Sequence, residues 1–127
     1  MSSFDILLNR TTPRIGSFIL ELRKFILELS GKIEEKCTKK MITYHTIMIP
    51  KPSMGGRRTK GLFWFNLANP SILRVHLRKK GNYRDKYNRL VPEGWGGYPE
   101  IIFKQNELDN ERLEYLKSLI REAHKVL

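Results

Sequence analysis

The densest chemistry-bearing spacing in the chain is at 78–90, RKKGNYRDKYNRL, where Lys79, Lys80, Arg84, Lys86 and Arg89 alternate with Tyr83 and Tyr87. Bases interleaved with rings are what single-stranded or flexible nucleic acid uses: cations track the backbone and rings stack on bases. Tyr83 and Tyr87 are four apart, so a short helix would set them on one face. The competing reading folds both rings onto the core and leaves only charge outside. A second basic stretch, Lys51 to Lys60, holds Gly55, Gly56, Arg57 and Arg58. Glycines beside arginines suit a loop that approaches a phosphate backbone, or else a plain connection whose charges aid solubility. The P-loop pattern is absent. With the hairpin between the two stretches, the nucleic-acid-binding set is Arg57, Arg58, Lys60, Trp64, Arg74, Arg78, Lys79, Lys80, Tyr83, Arg84, Lys86 and Arg89.

Other candidate chemistry is thin. Asp85 beside Tyr83 and Tyr87 would allow acid–base work, on proximity alone. Glu34-Glu35-Lys36 contains the Glu-x-Lys pattern of metal-dependent nucleases, which need it on a hydrophobic strand with an acid on the strand before. Here it sits in a polar run, KIEEKCTKK, that reads as a solvated connection. His45 lies in an apolar strand and reads as a packed or surface residue. His124 lies near a helix end, where the dipole favours a cation. Neither a Cys/His metal set nor a nucleophile elbow is present, so no catalytic residue, metal or cofactor is assigned and no enzyme is expected.

The net charge is +11 over 127 residues. Residues 51–89 hold eleven Lys or Arg against one acid, Asp85, which is +10. The remainder is +1. So local an excess is a footprint for phosphate or acidic surfaces. One cysteine, Cys37, excludes an internal disulfide and fits a reducing compartment. With no secretory signal and no apolar run near the ~20 residues of a membrane span, a cytoplasmic protein without membrane contact is expected.

The elements that must position these residues follow from pattern. Residues 1–12 read as an extension whose apolar 4–8 lies against a single domain spanning 1–127. Thr12 caps and Pro13 opens a helix with Ile15, Phe18, Ile19, Leu22, Phe25, Ile26 and Leu29 on one face, ended by Gly31 in the left-handed position. Residues 41–49 form a strand. The centre is 62–78, two strands joined at Asn69-Pro70-Ser71. A three-residue loop sets Leu67 opposite Leu73, Phe65 opposite Val75 and Phe63 opposite Leu77, giving one wholly apolar face. The other face then carries Leu62, Trp64, Asn66, Arg74, His76 and Arg78. A two-residue loop would mix the faces, so the first register is expected. Residues 91–99 read as a glycine-rich turn with Trp95 plugging the core, 100–104 as a last short strand, and 109–126 as a helix capped by Asp109 with Leu113, Leu116, Ile120, Ala123 and Leu127 as its stripe. The expected fold is α+β, an antiparallel three- to four-stranded sheet with an N-terminal and a C-terminal helix on its apolar face.

IGSFILELRKFILELSGKI, EEKCTKKMITYH, LFWFNLANPSILRVHL, the turn around Trp95 and ERLEYLKSLIREAH together resemble an uncharacterised small α+β domain family. Its members occur alone or at the C-terminus of chains labelled predicted transport proteins, some beside restriction-nuclease-like domains. The resemblance covers about residues 14–125 and implies fold, with no catalytic residue to carry over. Family members often have a Gly-His and a Gly-Asp pair before the last strand. This chain reads GWGGYPE there and lacks the His and Asp.

The leading reading is nucleic-acid binding, DNA or RNA, through 51–89. The alternative is an accessory module docking an acidic protein partner, and a nuclease-type or other enzyme ranks last. No helix-turn-helix, zinc finger or RNA-recognition signature supports sequence-specific reading.

Overall fold

The computed structural model describes residues 2–48, 58–79 and 81–125; of Ile47, Met48, Arg58, Thr59, Lys60 and Trp95 only the backbone is described. The order is α1 (Ser3–Asn9), α2 (Pro13–Leu29), β1 (Ile33–Cys37), β2 (Met41–Met48), β3 (Arg58–Asn66), β4 (Ile72–Leu77), β5 (Val91–Trp95), β6 (Tyr98–Lys104), a 3-10 turn (Gln105–Glu107) and α3 (Asn110–Lys125). The sheet is antiparallel with six strands in the order β1-β2-β3-β4-β6-β5. The α+β class and the two long helices are as expected, and the strand count is higher than the three or four read from the sequence.

The β3–β4 register is the one chosen by the apolar pattern: Phe63 faces Leu77, Phe65 faces Val75 and Trp64 faces His76. Asn69 Oδ1 accepts from the Ser71 amide and hydroxyl, each at 3.0 Å, which holds the turn. Phe63, Phe65, Leu67, Leu73, Val75 and Leu77 are buried in one core with Phe18 and Leu22 of α2 and Leu116 and Ile120 of α3. Burying large side chains of this kind stabilises by about 1.5–3 kcal/mol each. The helices therefore cover one face, called inner here.

Four local expectations change. The extension is a helix: Ser2 caps α1 through the Asp5 amide, and Phe4 and Leu7 enter the core. The polar run is strand β1, paired to β2 from Ile33–Thr46 to Cys37–Ile42. The glycine-rich turn is a hairpin, β5–β6, in which Gly96 (φ 56°) and Gly97 (φ 87°) form the two-residue corner. Positive φ at both corner residues matches the twist of a tight hairpin, which is why glycines stand there. Finally, α2 ends on an extended Ser30 (φ −166°), with no left-handed Gly31, and the Ser30 Oγ accepts from the Lys32 amide at 3.1 Å.

Leu62 also departs from expectation. Tyr44 pairs with Phe63 and His45 with Gly61, so Leu62 is the extra residue of a bulge. A bulge breaks the alternation of faces, and Leu62 and Phe63 are both fully buried. The roles read for Trp95 and Leu127 in the core lie outside the described residues.

Candidate nucleic-acid interface

Strand alternation puts one row of residues across the whole outer face: Lys36, Thr43, Trp64, His76, Glu100 and Val91. A parallel row places Arg74 between Asn66 and Ile102. Arg74 is exposed. Trp64 and Tyr98 are half-buried and meet edge to face, ring centres 5.1 Å apart. Gly61 makes room for the indole: a Cβ there would stand 2.6 Å from its ring. Lys79, exposed, holds its ammonium 4.9 Å from the centre of the Tyr98 ring. Aromatic rings, a lysine and an arginine thus share the face that the helices leave uncovered.

The middle of that face is closed. His76 is fully buried, with Nδ1 3.3 Å from Glu100 Oε2. Burial, helped by the charge of Arg74, pushes the imidazole down to about 4, so it is neutral at pH 7. Arg78 is 6% exposed, and its Nη1 is buried without a hydrogen-bond partner among the described residues. Placed among contact residues by its charge, Arg78 is an interior group: its amide donates to Leu62 O and its carbonyl accepts from the Tyr83 hydroxyl.

The 82–89 segment lies on the other side of the sheet, against α3, and forms no helix that would present the tyrosines. Tyr83 is half-buried, its hydroxyl bonded to Arg78 O at 2.7 Å, and burial raises it to about 12. Tyr87 donates to Glu111 Oε2 at 3.2 Å and packs edge-on against Tyr115 at 5.0 Å. Both rings therefore belong to the core margin, the second of the two readings the spacing allowed. Asp85 organises the segment, accepting from the amides of Arg89 and Leu90, each at 2.9 Å, and from the Tyr115 hydroxyl. Burial raises the pKa of the carboxyl, but these bonds outweigh it and hold the group below its ordinary value. Its lone pairs are engaged in structure, so it is not poised as a general base. Arg89 is occupied too, bridging Glu107 Oε2 at 2.6 Å and donating to Ile102 O at 2.8 Å.

Arg84 and Lys86 are exposed, but they line a groove with Glu111 and Glu114 of α3. The twelve basic and aromatic candidates thus do not form one surface. Trp64, Arg74 and Lys79 are together on the outer face; Tyr83, Arg84, Lys86 and Arg89 are on the helix side; Arg78 is interior. Arg58 and Lys60 enter β3 opposite Met48 and Thr46, while their side chains, Arg57 and Lys80 lie outside the described residues. Tyr98, missed by the sequence reading, joins the outer group; its only signal was its place two residues before Glu100 on a strand.

The Glu-x-Lys run is on a strand after all. Glu34 and Lys36 point outward, 3.9 Å apart, while Glu35 turns inward to Arg23 Nε at 3.0 Å and the Tyr44 hydroxyl at 2.8 Å. Among the described residues no three His, Cys, Asp or Glu side chains gather where they could hold a metal ion. Also among them, no helix is long and apolar enough to cross a membrane.

No family model, curated protein or solved structure matches the chain. The resemblance to the uncharacterised domain family rests on the quoted segments alone.

Proposed function

We infer that the protein binds nucleic acid, through the outer face of its sheet. The observation that carries this reading is the grouping of Trp64, Tyr98, Lys79 and Arg74 on the face opposite the helices. Arg74 lies within β4, and Lys79 follows its end by two residues. Phosphates would lie along these cations, and a base would stack on Trp64. Stacking of this kind is worth ~1–3 kcal/mol per base and ignores sequence. Arg84 and Lys86, on the helix side, the buried Arg78 and the ion-paired Arg89 take no part.

The test is a shift assay with single-stranded and duplex DNA and RNA at ~50 mM salt, where even non-specific binders associate detectably. Binding is expected at ~10 μM protein, and Trp64→Ala should weaken the single-stranded complex about 5- to 100-fold while leaving the fold intact. No binding to any of the four would remove the reading and leave an acidic protein partner as the occupant of the basic face.

A further inference from the structure

Strand β1 ends the sheet, and among the described residues no strand lies on its other side. The Thr38 amide donates to Met41 O at 2.8 Å, which makes 38 and 41 a hydrogen-bonded pair. Bonded and non-bonded pairs alternate along an antiparallel ladder. Lys36–Thr43 and Glu34–His45 are therefore bonded pairs, and Glu35 and Cys37 turn their backbone groups outward, as does Ile33, whose amide donates back to Ser30 O at 3.4 Å. The opposite edge is blunted: β5 contains Pro92 and its register with β6 is displaced between Val91 and Trp95. Among the described residues, β1 carries Glu34, Glu35 and Lys36, the charged side chains typical of an edge strand.

Those charges are self-complementary. If a second copy adds antiparallel with the dyad on Glu35, Ile33 stands opposite the partner's Cys37 and Glu34 opposite the partner's Lys36. In this register Glu35 meets its copy as a hydrogen-bonded pair, and the Cys37 amide faces the carbonyl of the partner's Ile33. The Glu34–Lys36 pairs then fall in the non-bonded positions, where side chains approach most closely. Glu35 would meet the partner's Glu35, but each carboxylate is already held by its own Arg23 and Tyr44 on the inner side. An apolar groove lined by Ile6, Leu7 and Cys37 runs beside the same edge, and Ile6 is 45% exposed. With the dyad on Glu35, that groove lies at the end of the seam where Cys37 meets the partner's Ile33.

We propose that two copies of the chain pair through β1 into one continuous sheet, with the dyad on Glu35. The inference is independent of nucleic-acid binding. Sedimentation should give about twice the monomer mass of 15.0 kDa. Lys36→Glu and Glu34→Lys, each placing like charges opposite one another, should weaken self-association at least ~10-fold, and the double swap should restore it. A monomeric native chain, a dimer indifferent to the single changes, or a double swap that fails to recover would each overturn the proposal. A second measurement covers misfolded variants: with Cys37→Ser, the pair Glu34→Cys and Lys36→Cys should oxidise to a covalent dimer, because non-bonded pairs lie about 4.5 Å apart at Cα, within disulfide reach. Absence of that cross-link overturns it equally.

Discussion

Asp85 shows how far one residue's role can depart from its sequence context. Alone among eleven bases, it allows acid–base work on proximity, yet it ties 85–90 to α3 through Arg89, Leu90 and Tyr115. Asp85→Ala orphans those donors and should cost about 1–3 kcal/mol in denaturant unfolding. Because the folded carboxyl is held below its ordinary value, its contribution is present above the unfolded pKa near 3.8 and is lost as pH falls below that. His76 works over a different window. Its folded pKa is about 4 against 6.5 unfolded, so from pH 6.5 down to 4 the unfolded chain takes up a proton that the folded chain refuses. Stability should therefore fall as pH falls across that range, by up to about 3 kcal/mol from this group. His76→Asn should flatten the decline between pH 6.5 and 5, before most carboxylates titrate; an unchanged slope would show that Glu100 charges the imidazole instead.

At the scale of elements, periodicity located what a strong apolar stripe defines. α2, α3 and the β3–β4 register follow from Ile15 to Ile26, Leu116 to Ala123 and Phe63 to Leu77, because only one arrangement buries each set. β1 was hidden because IEEKC has one well-buried residue, Ile33, and its charges are the devices of an edge strand. β5 was hidden by Pro92 and Gly94, which read as breakers. Between β5 and β6 the corner demands positive φ. Gly97→Ala at φ 87° should cost about 1–2 kcal/mol, while Gly96→Asn at φ 56° should be nearly neutral, as asparagine tolerates that region. Thermal unfolding of both variants checks this, and equal losses would contradict the assigned corner. Of the candidate interface, charge excess was legible, but its division between two faces was not. The path of 78–90 depends on Asp85 and Tyr87 reaching α3, a contact with no local pattern.

For the whole molecule, charge is divided between two faces: in the proposed function the outer face with Trp64, Tyr98, Arg74 and Lys79 is the binding side, and the helix side with Arg84 and Lys86 is not. Both pairs carry the same formal charge, so a purely non-specific attraction would treat them alike. The most direct measurement is the salt dependence of duplex DNA affinity for the native chain, Arg74→Ser/Lys79→Ser and Arg84→Ser/Lys86→Ser. With about five phosphates contacted, log affinity should fall against log salt with a slope of about −4.5 for the native chain. The outer-face variant should drop to about −2.7, and the helix-side variant should stay near the native slope, with thermal stability nearly unchanged in both since exposed charges contribute little to folding. Equal slopes for the two variants, or the loss confined to Arg84 and Lys86, would contradict the account.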